Sequence, residues 1–527
     1  MKRKKLLWSL LYLTTIAFVS CNDEDDNIAT MNSEDFVLET KLTSDEMKAL
    51  YVHSQKSLKL TQDEAAQIAL SAFECGDFNK SAEIRQIKNV ESLCISDDKI
   101  NKNLALDESD TIAYVFNFAN NMGYAFVASD SRLEQPILAY SENGEFKLDT
   151  MDIGTMMFLD NVVSYLDKEK HFYNLQQDSL LISATQKILK SIGIDEYELD
   201  TSCIIANNKA AQLFDSKEYD APSVYKVIKS RYPSYYGEWE DIINTQGPLV
   251  KVSWGQNAPY NALMPNSEDK LGCTSLAVSQ LMTYWKYPNN FMCNGISINW
   301  NDIERNIVET SPYNIKLQIQ SLCYLVSNWC QTRQTSKGGA SRPIHALEAL
   351  SDFGYKVPND FIQYTETRVN EEMRMKRPII AYGSNHKARN GKRWIKRLTM
   401  GIVSVTIPSH IWLIDGMLWQ KRRAIYEQTI VLRAKNKKTG QYCTKTVKGK
   451  TQGEYQSRKY VHMNWGWRCE QNINSEDLKK RSNCWYLPGV FDCSESYSVN
   501  DKNVESKSIN SEEEYYYIHI ATGVQPK

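Results

Sequence analysis

The 527-residue chain lacks a surplus of either charge. Its 62 lysines and arginines nearly balance 64 aspartates and glutamates, so the formal net charge is −2 at pH 7. A chain without a strongly basic balance has no polyelectrolyte reason to bind nucleic acid. We therefore expect no nucleic-acid partner. The length favours about two to four domains over a single core.

Paired cysteine motifs are also missing. Twelve cysteines are present, but no CxxC pair occurs and no cluster has the short ligand spacing of a structural zinc site. We expect most of them to be small buried apolar residues. The apolar run at residues 6–19 is too short for a comfortable membrane span.

The apolar run has the setting of a secretory signal. It follows the basic residues 2–5, which gives a charged n-region and an h-region of signal-peptide length. We therefore predict a signal peptide over residues 1–20, and hence a secreted protein.

The end of this signal, Phe18-Val19-Ser20-Cys21, resembles the lipobox of bacterial lipoproteins, whose cysteine is lipidated. The acidic residues 22–26 resemble the surface-export signals of some Gram-negative lipoproteins. These resemblances imply lipidation of Cys21, an acidic tether over 21–45, and an outer-membrane or cell-surface location. An ordinary secretory peptide with a chance cysteine is the alternative.

Folded sequence begins after the tether. Thr61 and Glu64 form a capping-box pattern ahead of apolar residues at helical spacing, which predicts a short amphipathic helix. Alternating aromatic residues from Ile112, a turn, and an apolar run at 124–128 predict a β-hairpin.

Helical patterns follow around 151–170 and 177–192. Between about 200 and 245 the chain is charged and rich in Tyr, Ser and Pro, which predicts a linker with exposed basic sites. We assign residues 46–240 to a small α+β domain and linker, and residues 245–527 to a second domain.

Cys273 stands between a glycine and a predicted helix. Apolar residues recur four and eight positions after Ala277, and the pattern stops at Tyr287-Pro288. A thiol in the first turn of a helix meets unpaired N–H groups, which favour the thiolate and lower its pKa. Cys273 is therefore a candidate nucleophile, whereas a structural cysteine at a helix start is the alternative.

A cysteine nucleophile needs an imidazole to accept its proton and a third group to orient that ring. Among only seven histidines, His410 begins a strand-like apolar run, with His462 and His519 as competitors. Asn464 heads the segment Asn-Trp-Gly-Trp, where its amide oxygen can accept the second imidazole N–H. The order Cys, His, Asn is that of papain-type enzymes, with a basic insertion over 420–452 that lengthens the final interval.

These segments carry a resemblance to a known family. The region 248–527 resembles the streptopain family of papain-like cysteine peptidases, and Gly123–Ser141 resembles that family's inhibitory prodomain. The matching segments are Trp254-Gly255-Gln256, Gly272-Cys273, Gly338-Gly339-Ala340-Ser341, Arg377-Pro378-Ile379-Ile380, His410 with Ile414-Asp415-Gly416, and Asn464-Trp465-Gly466-Trp467. The fold implied is α+β: a papain-like catalytic domain, with a helical lobe and an antiparallel β lobe, behind a small α+β prodomain.

The resemblance also implies roles for the residues that match. Cys273 is then the nucleophile, His410 the general base and acid, and Asn464 the orienting residue. The side-chain amide of Gln256 is implied as a hydrogen-bond donor to the developing oxyanion. Residues implied in substrate binding or in packing at the cleft are Gly338, Gly339, Ala340, Ser341, Trp465 and Trp467.

The function expected from this resemblance is that of a cysteine endopeptidase made as a zymogen. It acts on protein or peptide substrates, is inhibited by its own prodomain, and needs no metal or organic cofactor. Ser409, Ile411 and Arg468 depart from the family pattern, as does the basic insert around 386–398. An inactive papain-like lipoprotein that binds peptides or proteins is the alternative, and acyl transfer to an amine is a third.

Overall fold

A computed structural model gives the fold of most of the chain. The described residues are 39–55, 57–71, 73, 85–94, 111–146, 153–191, 194–197, 204–206, 218–220, 223–228, 233–236, 239–305, 311–335, 338–385, 409–450, 455–466, 484–492 and 516–527. Cys21, the predicted signal peptide and most of the predicted tether lie outside them.

The N-terminal part combines two helices with an antiparallel sheet. Its elements are β1 (Glu39–Lys41), α1 (Ser44–Ser54), α2 (Gln62–Ser71), β2 (Ile87–Cys94), β3 (Thr111–Phe118), β4 (Tyr124–Ala128) and β5 (Ile137–Ser141). The capping box is present: the Glu64 carboxylate accepts from the Thr61 N–H at 2.8 Å, and the Thr61 hydroxyl accepts from the Glu64 N–H at 3.3 Å. The predicted helix and hairpin are both confirmed.

A single 39-residue helix, α3 (Ile153–Ser191), stands where the sequence predicted two helices. The apolar periodicity weakens between its two halves, but the intervening residues include no proline or glycine, so nothing interrupts the backbone ladder. The two helical patterns predicted around 151–170 and 177–192 therefore belong to one continuous helix. In the part of the chain that the structure covers, no helix combines the length and apolarity needed to cross a bilayer.

The described residues of the predicted linker are largely extended. Strand β6 (Ile194–Tyr197) precedes the linker, whose strands are β7 (Ile204–Ala206), β8 (Ser223–Ile228), β9 (Pro233–Tyr236) and β10 (Glu240–Gln246).

The C-terminal part begins with a mainly helical half. Its elements are α4 (Cys273–Trp285), β11 (Met292–Cys293), β12 (Ile296–Ser297), α5 (Trp300–Arg305), α6 (Tyr313–Trp329), β13 (Arg333–Thr335), β14 (Gly338–Ala340), α7 (Ile344–Asp352), β15 (Tyr355–Lys356), β16 (Ile362–Gln363) and α8 (Glu366–Arg374). The strands of the other half are β17 (Ile379–Asn385), β18 (His410–Lys435), β19 (Tyr442–Lys450), β20 (Tyr455–Asn464), β21 (Cys484–Tyr486), β22 (Tyr516–Ala521) and β23 (Gln525–Pro526).

The 26-residue strand β18 organises the large sheet. Its first residues pair with β17 on one side, and residues 413–423 pair with β20 on the other. Farther along, the linker strands β10, β9 and β8 pair with it in turn, antiparallel, from residue 417 to residue 433. Its last residues pair with β19. We call residues 424–450, which lie within the predicted insertion, the distal hairpin.

The two parts of the chain share one sheet. Strand β5 pairs with β21 through Ala139–Tyr486 and Tyr140–Trp485, so the sheet β2–β5 continues into the C-terminal strands. A common apolar core lies behind this junction, with Phe126 and Phe158 on one side and Trp412, Trp465 and Tyr486 on the other. Helices α4, α6 and α7 pack around a second core. The predicted α+β architecture, with a helical half beside an antiparallel sheet, is confirmed.

Candidate active site

Helix α4 begins at Cys273, as the sequence predicted. Gly272 caps it with φ = +84°, in the left-handed region that favours glycine. A Cβ atom on Gly272 would lie 3.3 Å from the carbonyl oxygen of Gly339. A side chain at residue 272 would therefore be strained as well as crowded.

The Cys273 thiol lies beside the backbone of residue 411. Hydrogen bonds from the N–H groups of Ile411, Thr274 and Cys273 itself favour the thiolate. Burial nevertheless dominates and raises the pKa of Cys273 above its ordinary value. The expected lowering of this pKa by the helix N-terminus is therefore outweighed, because desolvation costs the anion more than the backbone donors return.

His410, the first residue of β18, directly precedes Ile411, whose backbone contacts the Cys273 thiol. His410 is almost fully buried, with 1 % of its surface exposed. Its ring stacks on Trp412, with centroids 6.1 Å apart, and on Trp465 at 6.3 Å. Its Nε2 hydrogen-bonds with the carbonyl oxygen of Trp465 at 2.8 Å. Burial lowers the pKa of His410 to about 4, against the smaller opposite effect of the Trp465 carbonyl, so the ring is neutral at pH 7.

Asn464 ends β20 and is fully buried. Its Nδ2 donates to the carbonyl oxygen of Val252 at 2.9 Å, and its Oδ1 accepts from the Gly466 N–H at 3.3 Å. Asn464, the predicted orienting residue, therefore directly precedes Trp465, whose carbonyl oxygen hydrogen-bonds with the His410 ring.

Gln280 is a residue of this site whose role the sequence did not reveal. Its Nε2 lies 3.5 Å from Oδ1 of Asn464, and its Oε1 accepts from the Trp254 N–H at 2.9 Å. It lies seven residues after Cys273, two helical turns farther along the same face of α4. That spacing, with a polar residue on a mostly buried helix, was the available signal.

Gln256 is buried, and its carbonyl oxygen accepts from the Leu271 N–H at 3.2 Å, two residues before Cys273. On the other side, a Cβ atom on Gly339 would lie 2.4 Å from the carbonyl oxygen of Lys270. Gly339 and its neighbour Gly338 therefore lie against the chain that leads into the nucleophile.

The remaining predicted cleft residues are arranged differently. Ala340 is exposed at the end of β14, whereas the Ser341 hydroxyl donates to the carbonyl oxygen of Cys330. Trp465 is fully buried, and its Nε1 donates to the Tyr486 hydroxyl at 3.0 Å. Trp467 lies outside the described residues.

Helix α3 covers the far side of Trp465. A Cβ atom on Gly154 would lie 2.1 Å from Cδ2 of the indole, so the helix backbone rests directly on the ring. A Cβ atom on Gly383 would lie 3.1 Å from the sulfur of Met157 and 3.3 Å from the Trp412 ring, so Met157 of α3 also lies beside Trp412. In this arrangement the first turns of α3 close over the aromatic residues that enclose His410.

The two competing histidines have other surroundings. Nδ1 of His462 lies 2.6 Å from Oδ1 of Asp415, whose other oxygen accepts from the Val250 N–H at 3.2 Å. His519 stacks on Tyr382 with centroids 5.1 Å apart. Of the three histidines considered from the sequence, His410 is the one adjacent to the residue that contacts the Cys273 thiol.

Comparison with known proteins shows two family models that match parts of this chain. Residues 254–473 match the model of the peptidase C10 family, and residues 57–166 match that of the Spi protease inhibitor. Among solved structures, a fragment of prointerpain A from Prevotella intermedia aligns over 84 % of this chain and 99 % of its own, with 14 % identity and a TM-score of 0.37. No curated protein sequence matches the chain.

The buried imidazole predicts a pH dependence of stability. The pKa of His410 is about 4 in the folded protein and about 6.5 in the unfolded chain. Its contribution to the free energy of unfolding is therefore fully present above pH 6.5, where the ring is neutral in both states. This contribution is lost as the pH falls toward 4, because the unfolded chain takes up the proton first. Between pH 7.5 and pH 4 we expect a loss of about 3 kcal/mol from His410.

The measurement is urea unfolding at both pH values in a Cys273→Ala background, so that the thiol does not contribute. His410→Gln is the matched variant, since it shares every other titrating group. Its loss on acidification should be smaller by about the same 3 kcal/mol. Equal losses in the two proteins would contradict the assignment.

Proposed function

Because the chain is a cysteine peptidase of the C10, or streptopain, family that carries an inhibitory prodomain, we propose that it is a lipid-anchored surface endopeptidase made as a zymogen. Cys273, His410 and Asn464 carry the reaction. The observation that carries this proposal is the position of the Cys273 thiol, in the first turn of α4 and in contact with the backbone next to His410.

The chemistry follows from these residue types. His410 removes the thiol proton, and the thiolate attacks the carbonyl carbon of the scissile peptide bond. The ring then protonates the amine leaving group, and it next activates a water molecule that hydrolyses the acyl-enzyme. The Cys273 N–H, with the Gln256 side chain, stabilises the oxyanion, a kind of contact worth about 3 kcal/mol of barrier.

The described arrangement suits a latent form of such an enzyme. The thiol has a raised pKa and the imidazole a lowered one, so both groups are uncharged at neutral pH. An active pair requires a thiolate beside an imidazolium. Full activity therefore requires that α3 leave Trp465, which admits water to His410, and cleavage in about 195–250 makes that release lasting.

A mutational test separates this proposal from its alternatives. Full-length protein should process itself over time, and Cys273→Ala should not, because it lacks the nucleophile. Cys443→Ala is the matched control, since that thiol is partly buried in the distal hairpin, away from α4. Gel electrophoresis and mass spectrometry of the new N-terminus give the readout.

Processing of Cys273→Ala at the parent's rate in the purified protein would sink the proposal. Parent protein that turns over no peptide library after its prodomain is removed would instead indicate a binding module. A product joined to an added amine would indicate acyl transfer.

Gln280 should act as a positioning residue in the processed enzyme. Gln280→Ala removes its contact with Asn464, so we expect kcat to fall about tenfold with KM little changed. Gln320→Ala is the control, because that glutamine bonds the Pro259 carbonyl from another helix. A fall in stability with no change in kcat would show a merely structural role.

The anchor is proposed from the sequence around Cys21 and the acidic residues after it. Expressed in a Gram-negative host, the parent should sediment with membranes and label with a fatty-acid analogue. Cys21→Ser should do neither, while Cys443→Ser should behave as the parent does. Membrane association of Cys21→Ser equal to that of the parent would rule out lipidation at this residue.

A further inference from the structure

One face of the distal hairpin is covered by the N-terminal part of the chain. Its buried residues are Ile430, Leu432, Ala434 and Val447. They form one apolar cluster with Leu42, Met47, Leu50, Tyr51, Val52, Tyr173, Ala184, Ile188, Leu189 and Val227. Most of the cluster therefore comes from the segment around α1 and from the distal half of α3.

Polar and steric contacts make this fit specific. The Gln428 side chain donates to the carbonyl oxygen of Met47 at 3.0 Å, and the Leu42 N–H donates to the carbonyl oxygen of Lys450 at 3.2 Å. Strand β1 pairs in parallel with β19. A Cβ atom on Gly449 would lie 3.1 Å from Cδ1 of Leu42 and 3.1 Å from Cδ1 of Ile430, so a larger residue at 449 would crowd both side chains.

The two N-terminal elements in this contact, α1 and the distal half of α3, are also bonded to each other. The Lys187 ammonium in distal α3 donates to the Glu46 carboxylate in α1 at 2.8 Å, and the Ser183 hydroxyl donates to the same carboxylate. Residues 39–55 and 167–191 lie outside the segment that matches the protease inhibitor, 57–166. The contact is therefore additional to the inhibitor module.

We propose that the distal hairpin is a second docking surface for the prodomain, occupied by α1 and the distal half of α3. It holds the prodomain on the peptidase after the linker is cut, and it selects this prodomain over inhibitor segments that lack these elements. The inference rests on the proposed function only in taking residues 46–240 as the segment that processing separates.

Cleavage before β8, which carries Val227, leaves this surface intact. The linker strands pair with β18, whereas α1 and β1 contact the hairpin through its buried face and β19. A cut converts an intramolecular contact into a bimolecular one and so lowers the effective concentration. Two separate contacts, β5 on β21 and α1 with α3 on the hairpin, then have to break together for release.

The test uses the full chain with Cys273→Ala and a recognition sequence for an unrelated protease inserted within residues 207–217. After cutting, the two fragments should co-elute in gel filtration, and their dissociation rate is measured after dilution. Gly449→Val on the hairpin and Leu42→Ala on the prodomain should each speed dissociation about tenfold. Lys438→Ala, at an exposed position in the turn of the hairpin, should stay within about twofold.

Leu42→Ala leaves the peptidase sequence unchanged, so a misfolded hairpin cannot account for its effect. Fragments of both variants that stay together as long as the parent's would overturn the proposal, as would parent fragments that separate at once. Because Cys273 is replaced throughout, the result does not depend on catalysis. A failure of the proposed function would therefore leave this measurement unaffected.

Discussion

The burial of the His410 ring between Trp412 and Trp465 is the constraint on which the site depends. A charged imidazole there would lose its hydration, and the hydrogen bond to the Trp465 carbonyl offsets only part of that loss, so the ring stays neutral. The Cys273 thiol is itself desolvated, and a neutral imidazole adds no positive charge beside its anion. Burial therefore sets the charge state of both groups, and α3 adds to the burial of His410 because its Gly154 lies directly on Trp465.

Strand β18 links this site to a distant surface. It begins at His410 and ends in the distal hairpin, and 20 residues of extended chain separate His410 from Ile430, up to about 65 Å of strand. The prodomain contacts both ends, through α3 near Trp465 and through α1 at the hairpin. Two contacts so far apart can hold a segment in place more firmly than either one, because both must break before it leaves.

Local patterns in the sequence predicted the local elements well. The capping box before α2, the aromatic hairpin of β3 and β4, and the start of α4 at Cys273 are each set by residues close together in the chain. The apolar pattern suggested two helices in place of α3, because a weak apolar period does not by itself end a helix when no proline or glycine stands between its halves. The charged linker between about 200 and 245 forms strands along β18, which its sequence did not predict, since backbone pairing depends on a partner more than 170 residues away.

Only the tertiary structure decided the electrostatics of the site and its surroundings. The sequence predicted a lowered thiol pKa from the helix N-terminus, a local effect, but desolvation depends on everything packed around the sulfur. The roles of Gln280 beside Asn464 and of the hairpin beneath α1 arise from contacts between distant segments, which periodicity cannot reveal. By itself, the sequence determined which residue types can do the chemistry, and where the helix of Cys273 and the strand of His410 begin. Whether those residues are charged, covered or held depends on long-range packing, because burial is a property of the folded chain.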